Sequence, residues 1–382
     1  MTFHIESSKK HFEEIILQQI ARVEKMQQNA ESIDYAALDK IIIGVAEGDG
    51  IGPQICRQTV EVLKFLLESE LISRKIEFRN IPGLTIENRL ALGKTLPDDT
   101  LDAIKQCHVF LKGPTTTPQA GSGGKNLESA NVALRKEFDL FANIRPIRLP
   151  ELGIDWTFFR ENTEGSYAVG SKGIKVHEHV SIDFCVTTSP GSERIGRSAF
   201  EYARKTGKKK VTVVTKANII KLTDGEFLQA CKRVALEYPG IELDEKYVDI
   251  MAANLIDKNK QADYEVLVMP NLYGDILTDE AAVIQGGVGT AGSANIGTRY
   301  AMFEAIHGSA PDLVEAGLVR FANPSSMLRA SVMMLNHIGF VSYAARLEKA
   351  LDKCAKEQKI VMDGVKGATN EEYIDYLLGE LL

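Results

Sequence analysis

Paired cysteines are absent from this sequence. Its five cysteines (Cys56, Cys107, Cys185, Cys231 and Cys354) are odd in number, scattered and never spaced as CxxC. That pattern argues against a disulfide framework or a thiolate zinc site and fits reduced thiols in the cytoplasm. Long apolar runs are lacking too: none approaches the roughly 18 residues that a membrane-spanning helix needs. Positive charge is not in excess, with 45 Lys and Arg against 52 Asp and Glu and a net charge of −7. General nucleic-acid binding relies on a basic face, which this balance does not offer. No internal repeat or long low-complexity tract is visible. The first 38 residues carry neither a signal-peptide core nor the Arg-rich, acid-poor make-up of a transit peptide.

What is present is an ordinary globular composition, 25% charged and 44% hydrophobic over 382 residues. That length accommodates two domains, or one with a large insertion. Phe12, Ile15, Ile16, Ile20 and Val23 recur at helical spacing and predict an amphipathic helix, packed on its own core or on a neighbouring subunit. Residues 40–46 form a continuous apolar run, a buried strand. The glycine-rich Glu47-Gly-Asp-Gly-Ile-Gly-Pro53 follows, and helical periodicity then runs from Ile55 to Leu67. Strand, glycine turn and helix open a parallel α/β fold. The glycines either bring backbone amides near a cofactor or simply make the turn. The alternation continues with strands over 75–79 and 107–111 and a helix over 98–106. Gly113-Pro-Thr-Thr-Thr-Pro118 ends the second of these strands, and a Gly- and Ser-rich loop leads to Glu128. Ser129, as an N-cap, opens a helix ending near Phe141, its positive end suited to an anion. Beyond 142, strands are expected over 157–160, 180–187 and 210–215, with helices over 193–206 and 223–237. This places a second domain at 141–285, inserted into a first made of 1–140 and 286–382. Residues 1–38 form a helical extension, and the C-terminal part reads as mostly helical.

Chemistry concentrates at Asn271-Leu-Tyr-Gly-Asp-Ile-Leu-Thr-Asp279. A buried strand over 264–269, a tight turn at Gly274 and a helix put Asp275 where α/β sheets bind ligands. Asp275 and Asp279, four apart, share one helix face. They suit a hard cation such as Mg2+ or Mn2+, or else form only an acidic helix start. Arg135, Arg145 and Arg160 each adjoin an apolar run. Three guanidinium forks suit a di- or tricarboxylate, although separate ion pairs would use the same residues. Tyr167 and Lys216 are candidates for acid–base work beside a cation. Gly287-Val-Gly-Thr-Ala-Gly292 matches GxGxxG, but a helix precedes it and a loop is expected after it, so it is not a dinucleotide fingerprint.

Together these motifs resemble the β-decarboxylating dehydrogenases, the family of isocitrate, isopropylmalate and homoisocitrate dehydrogenases. The resemblance runs from about Lys40 to the C-terminus through GDGIGP (48–53), GPTTTP (113–118), SANVALR (129–135), ANIRP (142–146), RENTEG (160–165), TKAN (215–218), NLYGDILTD (271–279) and HGSAP (307–311). It implies an isopropylmalate-dehydrogenase-like α/β fold, a parallel-sheet large domain and a smaller α/β domain with the active cleft between them. It implies substrate carboxylates held by Ser129, Asn131, Arg135, Arg145 and Arg160, and a proton-transfer pair of Tyr167 and Lys216. Asp249 would join Asp275 and Asp279 on the metal. Lys216 and Asp249 would come from the other subunit, so a homodimer or higher homo-oligomer with shared sites is expected. Thr117, Asn218, His307, Gly308, Asp312 and Asn323 would contact the cofactor. Asp312 followed by Leu313, where NADP-using relatives carry Lys and Tyr, points to NAD; as an alternative, Asp312 only caps a helix. The expected reaction is oxidative decarboxylation of isocitrate to 2-oxoglutarate. The alternatives are homoisocitrate or 3-isopropylmalate as substrate, or a non-catalytic regulatory subunit. Two features depart from the family: a longer loop between Thr117 and Ser129, and residues 1–38, which have no counterpart there. Deleting those 38 residues is expected to spare the chemistry and alter stability or assembly.

Overall fold

Along the chain the strands are β1 (Ile41–Ala46), β2 (Ile76–Asn80), β3 (Val109–Lys112), β4 (Ala142–Leu149), β5 (Ile154–Glu161), β6 (Ile174–His177), β7 (Val180–Ile182), β8 (Lys210–Thr215), β9 (Glu242–Tyr247), β10 (Val266–Met269), β11 (Gly292–Ile296) and β12 (Ala301–Ala305). The structure, a computed structural model, describes residues 5–27, 31–117, 127–170, 172–287, 289–362 and 367–382. It divides into two compact units, Met1–Glu31 with Phe141–Ile284, and Ser32–Leu140 with Gln285–Leu382.

In the second of these units the strand order is β2-β1-β3-β12-β11. All neighbours are parallel except β11, which runs antiparallel to β12. Ile41, Ile43, Phe110 and Phe303 are essentially fully buried. A run such as Ile41–Ala46 has no polar face to offer water, so it must be covered on both sides. The helix Ser325–His337 packs on β11 and β12. In the other unit the order is β4-β5-β10-β8-β9, parallel except for β4 against β5. The helices Ser189–Thr206 and Thr223–Ala235 pack against each other and against this sheet. Trp156 is wholly buried there and donates its indole N–H to the Gln261 carbonyl at 2.8 Å.

Several elements differ from the sequence reading. The expected strand over 180–187 stops at Ile182: among the described residues β7 pairs with β6, and beyond Ile182 there is a bridge between Gly165 and Val186. β4, β9, β11 and β12 carry no period-2 apolar signal strong enough to announce them; β9 is Glu-Leu-Asp-Glu-Lys-Tyr, a charged strand at the end of its sheet. The segment after GxGxxG is β11 rather than a loop, and a strand there still fails the fingerprint, which needs a helix. The long loop before Ser129 falls on residues 118–126, outside the described residues.

The N-terminal helix spans Ile5–Gln27 and belongs with residues 141–284, not with the unit whose first strand follows it. Phe12 stacks on Phe184 with ring centroids 5.1 Å apart, Ile15 is buried, and Arg22 reaches Glu164. Ile16 and Ile20, expected on the packed face, are 42% and 51% exposed.

Candidate active site

In the unit containing 141–284, parallel strands β5, β8 and β10 end on the same side, where α/β sheets place their ligand-binding loops. After β10 the chain passes Pro270 and enters the helix Asn271–Ile284 at once. Gly274 therefore lies in the first helical turn and makes no tight turn of its own. Its lack of a side chain serves another purpose: a Cβ there would stand 2.4 Å from Arg160 Cγ. The bare backbone lets the Arg160 side chain lie across the helix. Arg160, buried at the end of β5, donates from Nε and Nη2 to Asn271 Oδ1 at 3.0 and 2.7 Å, and from Nη1 to Asp275. The other Asp275 oxygen accepts the Tyr167 hydroxyl at 2.6 Å. One turn on, Arg145 from β4 donates from Nη1 to Thr278 Oγ1 at 2.6 Å and to Asp279 at 2.9 Å. Two of the three predicted arginines thus meet the two predicted aspartates on one helix face. Arg135 lies in the other unit.

Lys216 follows β8. Its backbone N–H donates to Asp224 at 2.6 Å, and its Nζ donates to Asp249 at 2.6 Å while standing 5.8 Å from the Tyr247 ring centroid. The ammonium holds the exposed Asp249 carboxyl below its usual range. Burial raises the Asp224 carboxyl, against the bonds it accepts from Lys216 N–H and Tyr273. Within this chain Tyr167 and Lys216 do not touch; each faces its own aspartate. Asn218 is exposed beyond Lys216.

The donor set answers whether these residues fit a divalent cation. Asp275 and Asp279 present hard carboxylate oxygens one helical turn apart, and the Asp279 side chain is 60% exposed. They fit two ligand positions. Asp249 is not brought to them here, and among the described residues no three His, Cys, Asp or Glu side chains gather as a metal site.

In the other unit the loops after β1, β3 and β12 share the carboxyl side of their strands. Asp49 of the glycine-rich turn accepts Ile86 N–H and Thr116 N–H, both at 2.7 Å. Gly50 has φ +60° and would drive a Cβ to 2.0 Å from the Ser309 carbonyl oxygen, so only glycine fits there. Thr116 and Ser309 hydroxyls lie 2.9 Å apart. The turn's visible task is to tie the three loops together. Arg89, buried, donates to the carbonyls of Thr116 and Glu128 at 3.0 and 3.1 Å and so clamps both ends of the long loop. Ser129 occupies the N-cap position of Ala130–Glu137 without a side-chain capping bond, leaving its hydroxyl uncommitted to the helix. Asn131 Oδ1 accepts the Thr115 hydroxyl at 3.0 Å. Arg135 and Lys112 share buried Glu304 at 3.3 and 3.1 Å.

His307 Nδ1 lies 3.0 Å from the Gly308 carbonyl, while its Nε2 is buried with no partner among the described residues. Burial lowers the ring's pKa, against the pull of that carbonyl. A buried, unsatisfied ring nitrogen beside Gly308, around which a Cβ would meet open space, is what a ligand-facing loop would leave. Thr117 is exposed at the edge of the described segment. Asn323 Oδ1 accepts Ser325 N–H at 2.8 Å and starts the following helix. Asp312 is not a helix cap: the cap position of Pro311–Glu315 is Ala310, in the left-handed region at φ 48°, and the Asp312 side chain is exposed within the first turn.

Sequence reasoning gave no role to Asn271, Thr278, Asp224, Glu304 or Arg22. Asn271 and Thr278 stood inside a quoted motif, but nothing in spacing reveals which side chain bridges two others.

A parallel α/β fold with carboxylates and guanidiniums at its strand ends is that of the β-decarboxylating dehydrogenases, a class of enzymes. The chain belongs to the isocitrate/isopropylmalate dehydrogenase family, whose profile matches residues 42–376. It is 39% identical over 346 residues to the NAD isocitrate dehydrogenase subunit 2 of Schizosaccharomyces pombe, covering 87% of this chain and 86% of that one. It is likewise 39% identical to an NADP isocitrate dehydrogenase of Rickettsia prowazekii (82% of this chain, 63% of that one). Identity to a homoisocitrate dehydrogenase of Methanocaldococcus jannaschii is 37% (84% and 91%). The solved isocitrate dehydrogenase of Methylococcus capsulatus superposes with a TM-score of 0.78 at 37% identity, over 89% of this chain and 99% of that one.

Proposed function

We propose that this protein is a Mg2+- or Mn2+-dependent, NAD-linked dehydrogenase that converts isocitrate to 2-oxoglutarate and CO2. The observation that carries the reading is the matched set on the helix Asn271–Ile284, where Arg160 and Tyr167 meet Asp275 and Arg145 meets Asp279. Each guanidinium rests on a carboxylate of the chain, the kind of group that a substrate carboxylate would present to it. When bound, the nicotinamide supplies the hydride acceptor and the cation supplies Lewis-acid polarisation of the substrate oxygen. Arg145 and Arg160 orient the acid. The proton of the C2 hydroxyl leaves to a water or to Asp249, with Lys216 assisting; Tyr167 returns one to C3 after CO2 has left. Ser129 and Asn131 offer polar atoms that suit a third carboxylate better than an isopropyl group. Asp249, Asp275 and Asp279 would hold the cation.

Lys216 and Asp249 stand apart from Tyr167 in one chain, which supports a site completed by a second copy. Exposed Ile250, Ile276 and Val283, on two helices that pack together, supply an apolar surface for it. Exposed Asp312 supports NAD, since a carboxylate accepts from ribose hydroxyls and repels a 2′-phosphate. The five thiols, all free, suit a reducing compartment such as the cytoplasm. The test compares kcat/KM for isocitrate, homoisocitrate and 3-isopropylmalate with Mg2+, each with NAD and NADP. Isocitrate with NAD should lead; preference for isopropylmalate would overturn the substrate assignment, and preference for NADP the role of Asp312.

A further inference from the structure

The N-terminal helix, which precedes the family-matched residues, holds a charge that the loop after β5 needs. Glu164 lies in that loop, three residues before Tyr167, and its side chain is only 3% exposed. Its Oε1 accepts Arg22 Nη2 at 2.6 Å and the Thr188 hydroxyl; its Oε2 accepts Thr188 N–H at 2.9 Å. Arg22 Nη1 also reaches the Thr163 carbonyl at 3.4 Å, and Gln19 steadies Arg22 Nε at 3.1 Å. A second carboxylate, Glu161, is buried at the end of β5, where it accepts the N–H groups of Thr163 and Glu164. Two buried carboxylates thus lie within four residues of each other; Arg22 arrives from the N-terminal helix to meet Glu164, while Arg194 reaches the Thr163 hydroxyl at 3.2 Å.

From Glu164 the bonding continues inward. Its backbone carbonyl accepts Asn271 Nδ2 at 3.1 Å, the Asn271 Oδ1 accepts Arg160, and Arg160 and Tyr167 share Asp275. We propose that Arg22 is a positioning residue for the reaction: through Glu164 and Asn271 it fixes the loop that presents Tyr167 and the guanidinium of Arg160. The proposal rests on the dehydrogenase reading for the role of Tyr167. Removing one partner of a buried pair leaves the other charge uncompensated, and the loop then shifts to bring that charge to water. A shift of a proton donor by even about an ångström is costly to turnover. The proposal runs against the expectation that deleting residues 1–38 spares the chemistry.

The test uses the full chain and three variants: Arg22→Gln, Arg22→Lys and Phe12→Ala. Steady-state kcat and KM are measured with isocitrate, Mg2+ and NAD, and amide hydrogen exchange is followed over 161–167. Arg22→Gln should lower kcat roughly tenfold, a factor that corresponds to about 1.4 kcal/mol of barrier, with KM for NAD little changed and exchange at 163–167 accelerated. Arg22→Lys keeps the charge and should recover most of kcat. Phe12→Ala loosens the same helix without touching Glu164 and should keep kcat within about twofold of the parent, well under the tenfold step. Unchanged kcat in Arg22→Gln, or an equal loss in Phe12→Ala, overturns the proposal. If the parent turns over none of the three acids, the dehydrogenase reading fails on its own. Exchange at 163–167 then decides the Arg22 link, which falls if Arg22→Gln leaves it unchanged.

Discussion

Tyr167 is the residue whose removal speaks most directly. Tyr167→Phe loses one hydroxyl, donated to Asp275, and leaves the ring in place over Arg160. A positioned proton donor contributes roughly 10²–10⁴-fold, so kcat should fall by that order while the melting temperature hardly moves; stopped-flow and thermal scans read the two. Asp312→Lys with Leu313→Tyr should move preference toward NADP, read as the ratio of kcat/KM values. The exposed Asp312 leaves room for that exchange without disturbing a cap. Glu304 bears on stability. Burial alone would raise its carboxyl, but Lys112 and Arg135 hold it down to about 2. Because the folded value lies below the unfolded one, this contribution is present above the unfolded pKa of about 4.3 and is lost as pH falls toward 2. Glu304→Gln should remove that part of the acid-unfolding slope and cost about 3–5 kcal/mol at neutral pH, measured by urea titration across pH. The meeting of Arg145 and Arg160 with Asp279 and Asp275 was legible at this scale because residue types and spacing carry chemistry. Asn271 and Glu164 were not, since a bridging residue is defined by two partners far off in sequence.

Among the elements, the helix Asn271–Ile284 shows where pattern reading succeeds and where it misplaces a cause. Asp275 and Asp279 fall on one face as i,i+4 spacing requires. Gly274 was legible as a special position, but its reason came from β5, whose Arg160 presses on it. Gly274→Ala should therefore behave unlike an ordinary helix substitution. Alanine normally favours a helix over glycine by up to about 1 kcal/mol; here the added methyl collides with the Arg160 side chain, and overpacking costs about 1–3 kcal/mol. A lower melting temperature together with a raised KM for the acid is the expected outcome. Retention of both values would mean that Arg160 has another way to lie. The strands β1, β3, β8 and β10 were readable because they are short, mostly apolar or β-branched runs. β4, β9, β11 and β12 escaped because their residues alternate with neighbours that only the folded sheet supplies. The N-terminal helix was readable as a helix, but its docking partner was not, since Phe184 and Glu164 lie far along the chain.

For the molecule as a whole, the proposed site, with Tyr167 from one copy and Lys216 from another, makes a prediction about mixtures. Tyr167→Phe and Lys216→Met are each expected to be inactive. Mixed one to one and allowed to exchange subunits, half of random dimers are hybrids, each with one intact site, so about a quarter of the parent activity should return. No recovery after demonstrated subunit exchange would place both residues in a single chain's site. The division of the chain has a further consequence, for the time at which each part can be finished. β3 is flanked by β1, made before it, and by β12, which the ribosome reaches only after the whole 141–284 unit has been synthesised. Until then one edge of β3 has unpaired amides and carbonyls and an apolar surface without its cover. Residues 141–284 can pair their own five strands earlier. The last segment to emerge thus completes the first sheet begun, and a nascent chain stalled before Ala301 should be far more prone to aggregate than one released at its end.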